Sequence, residues 1–214
     1  MKLDIVRFEN ELMSSNCFLV VDRKKKACIV IDPASEKSER EIEYIDQNGL
    51  QLDFIILTHE HTDHTWGANA LKDRYPEAKL VCSDLCSKYS KKESRAYFLL
   101  YYDDSNYRYE LKPADVILDK DTVIDWHGRI IAFLMTPGHS RGAVCIDIEG
   151  NLFTGDTIMP FPPFLKNKYS IIEDWQKSVD MIKERYSQET IVYPGHGEKL
   201  LLGEWEENKE WTTP

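Results

Sequence analysis

The chain has 214 residues, 42% of them hydrophobic, and a formal net charge of -10 at pH 7. That length and apolar content are enough for one compact α/β domain spanning 1–214. The acidic balance, with no basic stripe to neutralise phosphates, excludes nucleic acid and anionic membrane as partners and points to a small-molecule substrate.

In chain order, alternation predicts a strand over 2–8, followed by strands at 17–22 and 27–32. A helix is expected from Ser38 to Asn48, ahead of a strand at 54–57. The sequence THEHTDHTWG then occupies 58–67, with a helix expected from about Trp66 to Tyr75 and a strand at 79–82. An irregular region follows. Within it YFLLYYDDSNYRY, Tyr97 to Tyr109, is longer than a connection requires and reads as a lid, a dimer contact or a packed surface helix. The lysine clusters KKKA at 24–27 and KYSKK at 88–92 are short solvated patches.

DTVIDWHGRIIAFLM reads as a hairpin turning at His127-Gly128, and GAVCIDIEGNLFTGD as a second turning at Glu149-Gly150. His127 is thereby a turn residue. MPFPPF, Met159 to Phe164, offers Phe161 and Phe164 as an apolar wall for a pocket. Ile171, Trp175, Val179, Ile182 and Tyr186 form the buried stripe of a helix over 171–186, which leads into the last strand.

Five cysteines, Cys17, Cys28, Cys82, Cys86 and Cys145, form no Cys-x-x-Cys pair and fall mostly in apolar strands, as expected of reduced thiols in a cytoplasmic protein. The first residues lack a signal-peptide pattern, and no window approaches the roughly 20 apolar residues of a membrane helix.

The chemistry gathers at loops that follow strands. In THEHTDHTWG, extended alternation turns His59 and His61 to one side, and the turn that follows brings Asp63 and His64 round as further donors. Three imidazoles and a carboxylate this close make sense mainly as a metal site. TPGHS adds His139, FTGDT adds Asp156 and YPGHG adds His196, each after an apolar run and inside a Gly-containing loop. Singly, each of these three is an ordinary turn residue. Together with the first cluster they complete seven donors, enough for two ions. The spacing is not that of a helical His-Glu-x-x-His zinc motif, because the histidines at 59 and 61 are two apart.

The order of these motifs, from Asp32 in VIDPAS to His196, resembles the metallo-β-lactamase superfamily, and TPGHS, FTGDT and PGHG are most similar to its glyoxalase II (hydroxyacylglutathione hydrolase) branch. The resemblance implies an α/β fold, a four-layer αββα sandwich. It also implies that His59, His61 and His139 bind one metal, that Asp63, His64 and His196 bind a second, and that Asp156 bridges them. Asp32 would be a carboxylate that orients the histidine-rich loop. The chain departs from that branch in two places. Ala143 stands where a further histidine is common, and only eighteen residues follow His196, with five Glu against two Lys, in place of a basic helical domain for glutathione.

The implied reaction is hydrolysis of a thioester or related ester by a metal-bridging hydroxide, with Asp63 orienting the nucleophile. Metal binding lowers the pKa of water from about 15.7 toward about 7, and ions about 3.5–4 Å apart can hold both nucleophile and substrate oxygen. Nitrogen and oxygen donors suit zinc first, and iron or manganese as well. The resemblance leaves open a mononuclear iron persulfide dioxygenase-like enzyme, using His59, His139 and Asp156, and a lactone or phosphodiester hydrolase. A non-catalytic metal-binding module ranks last, because the donor set is complete. β-Lactam hydrolysis is not expected, since di-zinc β-lactamases usually carry cysteine where this chain has Asp156.

Overall fold

The computed structural model describes residues 2–104, 106–165 and 170–206. They fall into two compact units, Met1–Leu118 and Asp119–Pro214, and each is built on one six-stranded sheet.

The first sheet contains β1 (Asp4–Glu9), β2 (Asn16–Asp22), β3 (Ala27–Ile31), β4 (Gln51–Ile56), β5 (Lys79–Ser83) and β6 (Val116–Leu118), in that spatial order. β1, β2 and β3 are antiparallel neighbours, and β3 to β6 run parallel. Parallel neighbours require crossovers. These are supplied by α1 (Glu39–Gln47), by α2 (Thr62–Thr65) with α3 (Ala68–Arg74), and by α4 (Asp84–Tyr102). β2 and β3 are buried along their whole length, as continuous apolar runs in a sheet covered on both faces should be, whereas edge strand β1 is partly exposed. Leu19, Val30, Ile45, Leu57, Leu71 and Leu80 belong to the core of this unit.

Two helices differ from the sequence expectation. The helix expected from Trp66 begins earlier and is interrupted. His61 is extended (φ -65, ψ 144) and precedes α2, and Gly67 separates α2 from α3. The Gly67 N–H donates to the Pro33 carbonyl at 2.9 Å, and a Cβ there would collide with Ser38 Oγ and the Ser35 carbonyl. Only glycine lets the 33–38 loop come this close. The second difference is α4, nineteen residues long where an irregular region was expected. Its buried positions are Cys86, Ser90, Ser94 and Phe98, a helical spacing carried by small hydroxyl residues that a search for large apolar side chains passes over. Ser83 caps it by accepting from the Cys86 N–H at 3.0 Å. KYSKK at 88–92 therefore lies within this helix, as do 97–102 of the aromatic segment. Ser105, in that same segment, and the last eight of the eighteen residues after His196 lie outside the described residues.

The second sheet orders its strands β12-β11-β10-β9-β8-β7. They are β7 (Thr122–Trp126), β8 (Arg129–Met135), β9 (Val144–Ile148), β10 (Asn151–Gly155), β11 (Ile191–Pro194) and β12 (Leu200–Leu201). Both expected hairpins are present. His127 and Gly128 have φ of 56 and 86, and Glu149 and Gly150 have 54 and 81, the positive values that a two-residue turn of matching twist demands. β10 and β11 are parallel and joined through α5 (Ile172–Arg185), which buries Trp175, Val179 and Ile182 among Leu134, Leu152 and Val192.

All five cysteines are free and buried. Among the described residues no helix is long and apolar enough to cross a membrane.

Candidate metal centre

In the first unit the donors follow β4. Leu57 still pairs with β5, its N–H donating to the Val81 carbonyl at 3.0 Å. The chain then turns over Asp32, which ends β3. Asp32 Oδ1 accepts from the Thr58 N–H at 2.8 Å and Oδ2 from the Thr58 hydroxyl at 2.6 Å. The same Oδ2 lies 3.0 Å from His64 Nδ1. One buried carboxylate thus fixes both the start of the loop and the ring at its end, the orienting role expected of it. Asn10 supports it by donating to the Asp32 carbonyl at 3.3 Å.

The histidines converge. His59 Nε2 lies 3.0 Å from His61 Nδ1, and the His59 and His64 rings stand 4.2 Å apart. His64 Nε2 lies 3.7 Å from Asp63 Oδ2, and the Asp63 backbone is tied down by the Ser15 hydroxyl, which donates to its carbonyl. Glu60 is buried. It contributes to the electrostatic surroundings of the Cys86 thiol, which its hydrogen bond with Cys82 and burial hold well above its ordinary range.

In the second unit three loops supply the other donors. His139 follows β8, Asp156 follows β10 and His196 follows β11. Asp156 Oδ2 lies 3.3 Å from His139 Nε2 and 3.6 Å from His196 Nε2, so one carboxylate oxygen faces both imidazoles. The loops are held by α5. Gly138, at φ 144, brings its backbone against that of Trp175, where a Cβ would not fit. Its carbonyl accepts from the Ile171 N–H at 2.8 Å, and the Ser178 hydroxyl donates to the Pro137 carbonyl at 2.8 Å. The Trp175 indole N–H donates to the Thr157 carbonyl at 2.8 Å, directly after Asp156. One buried tryptophan therefore secures two donor loops. Sequence periodicity marks Trp175 only as a core residue, and the glycine in TPGHS is the one hint that a backbone must approach there. Of the suggested wall residues, Phe161 stands 6.5 Å from His196 between ring centroids, and Phe164 is exposed.

Both sets suit a divalent ion in donor type. Ligand atoms about 2.0–2.1 Å from a tetrahedral centre stand about 3.3 Å apart, and the donor separations lie to either side of that value, at 3.0 and 3.7 Å in the first set and 3.3 and 3.6 Å in the second. Buried imidazoles and carboxylates without a cation among them are costly to hold together, and a divalent ion offsets that cost.

The family model described as the metallo-beta-lactamase superfamily matches residues 11–196. A Bacillus velezensis protein named "probable polyketide biosynthesis zinc-dependent hydrolase BaeB" is 28% identical over 197 residues, covering 91% of this chain and 79% of that one. Hydroxyacylglutathione hydrolase 1 of Vibrio vulnificus is 30% identical over 153 residues, 72% of this chain. That match spans about half, 51%, of the length of the Vibrio enzyme. In fold, the crystal structure of the BLEG-1 B3 metallo-beta-lactamase matches with a TM-score of 0.83 at 20% identity, covering 94% of this chain and 95% of that one.

Proposed function

The chain belongs to the metallo-β-lactamase superfamily and has its α/β sandwich fold, and we propose that this metal-dependent hydrolase cleaves a thioester or related ester. In this reading 1–214 acts as one metallo-hydrolase domain. His59, His61 and His139 would hold one ion, Asp63, His64 and His196 the other, and Asp156 would be shared. The observation that carries the reading is Asp156 Oδ2 facing both His139 and His196, because it sets one carboxylate beside a histidine proposed for each ion.

Divalent ions in such a set acidify water toward a pKa of about 7 and polarise a carbonyl. The remaining work falls to the chain itself. Asp63 would accept a hydrogen bond from the water and aim it. Asp32 keeps the His64 ring fixed through Nδ1, leaving Nε2 as the donor atom. Zinc suits these nitrogen and oxygen donors first, with iron and manganese acceptable. A net charge of -10 argues for a small molecule over nucleic acid or an anionic membrane. Five free, buried thiols suit a reducing cytoplasm.

The test is a panel of acyl thioesters offered to protein loaded in turn with zinc, iron and manganese, with metal content measured alongside. Hydrolysis should be lost in chelator and in Asp156→Ala and His61→Ala, together with bound metal. Wild-type turnover in Asp156→Ala, or oxygen uptake by protein holding a single iron in place of hydrolysis, would overturn the assignment.

A further inference from the structure

The end of α4 exposes more apolar surface than any other helix among the described residues. Leu99, Leu100, Tyr101 and Tyr102 are 47%, 76%, 60% and 54% exposed, although a helix turn apolar on all sides ordinarily seeks cover. This turn is rigidly attached to the metal loop. Phe98 packs edge-on against Trp66 at 5.0 Å between centroids and lies tilted against Tyr107 at 4.0 Å, and the Trp66 indole N–H donates to the Tyr107 hydroxyl. Trp66 directly follows α2, which carries Asp63 and His64. Tyr97, Leu100 and Tyr101 share one helical face at spacings of three and four, and the Tyr97 and Tyr101 rings are 4.8 Å apart. Tyr97 is half-buried, and α4 packs against α2, the helix that carries Asp63 and His64. The apolar face thus begins on the helix that abuts the metal loop and runs outward into solvent. Asp103 and Asp104 follow the turn, which disfavours an anionic membrane as the cover.

We infer that the Tyr97, Leu100 and Tyr101 face of α4 is the seat for the apolar acyl chain of the substrate, whose carbonyl then lies toward Asp63. This rests on the hydrolase reading and narrows it to thioesters of medium or long acyl groups. Such a seat explains why the stretch is aromatic and exposed, since tyrosine offers a flat apolar face at small entropic cost while remaining wettable when empty.

S-alkyl N-acetylcysteamine thioethers, which cannot be hydrolysed, separate this inference from the reading beneath it. Titrated calorimetrically into zinc-loaded protein, alkyl chains of two to ten carbons should bind more tightly with length, by up to about fourfold per added methylene where burial is complete. Leu100→Ser with Tyr101→Ser should weaken the longest thioether by about tenfold or more, and restoring a ring as Tyr101→Phe should recover most of that loss. Both positions are exposed, so helicity by circular dichroism should match wild type. Affinity that does not change with chain length, or that is the same in the double variant, overturns the inference. So does a concentration-dependent dimer, seen by sedimentation, that the double variant abolishes, because a second copy would then be the cover. Tight, chain-length-dependent binding with no thioester hydrolysed would instead refute the proposed reaction and leave the seat standing.

Discussion

At Asp32 the backbone is in the left-handed region, φ 55, at a residue that is neither glycine nor exposed. Such a conformation costs about 1–3 kcal/mol and persists where the surroundings over-determine it. Here the return is three contacts to one carboxylate, from the Thr58 N–H, the Thr58 hydroxyl and the His64 ring. Asp32→Ala should therefore lower zinc affinity by about 10–100-fold, measured by competition with a chromogenic chelator. Asp32→Gly should lose affinity equally but less stability, because it relieves the strained φ. Wild-type affinity in either variant would show that His64 needs no such support. Glu41 gives a different residue-scale prediction. It is buried in α1, and desolvation raises its carboxyl pKa above the ordinary value, offset in part by hydrogen bonds that include the Cys17 thiol. A folded pKa above the unfolded one means that the native state holds the proton more tightly. The associated stability is present below the unfolded value, about 4.3, and is lost as pH rises through the folded value. Glu41→Gln should flatten that decline and melt higher than wild type at pH 7–8, while the two converge near pH 4. Parallel melting curves across that range would contradict it.

Among the elements, α5 does the positioning in the second unit. Trp175→Phe keeps most of the buried ring but leaves the Thr157 carbonyl without its donor, so a loss of about 1–3 kcal/mol is expected, read by urea denaturation. Metal retention should fall with it, since Thr157 adjoins Asp156. Unchanged metal content would separate the packing role of Trp175 from any role at the site. These elements also show what the sequence makes legible. Both hairpins could be placed because His127-Gly128 and Glu149-Gly150 announce their turns locally. The donor loops could be named because each sits in a short Gly-containing motif after an apolar strand. α4 could not, since its inward positions are Cys86, Ser90 and Ser94 rather than leucines. The interruption between α2 and α3 arises from Gly67 meeting the Pro33–Ser38 loop, a contact across thirty residues of chain that no local pattern encodes. The pairing of Gly138 with Trp175 was hidden for the same reason: periodicity places a residue on a face without saying which backbone will approach it.

On the scale of the whole molecule, the seven proposed ligands are divided by the chain, with His59, His61, Asp63 and His64 in Met1–Leu118 and His139, Asp156 and His196 in Asp119–Pro214. If the proposed centre draws on both sets, metal must stabilise both units at once, because an ion that binds only the folded arrangement adds RT ln(1 + [L]/Kd) to it. At free zinc one hundred times Kd this is about 2.7 kcal/mol, or roughly 5–10 °C in melting temperature for a chain of this size. Calorimetry of stripped protein should give a lower or divided transition that zinc raises and merges into one. His61→Ala, which alters only the first set, and His196→Ala, which alters only the second, should each diminish the zinc-induced shift for the whole chain. A shift confined to one of two transitions, or one that survives His196→Ala undiminished, would mean that one unit binds metal without the other, and a bridging role for Asp156 would then fail.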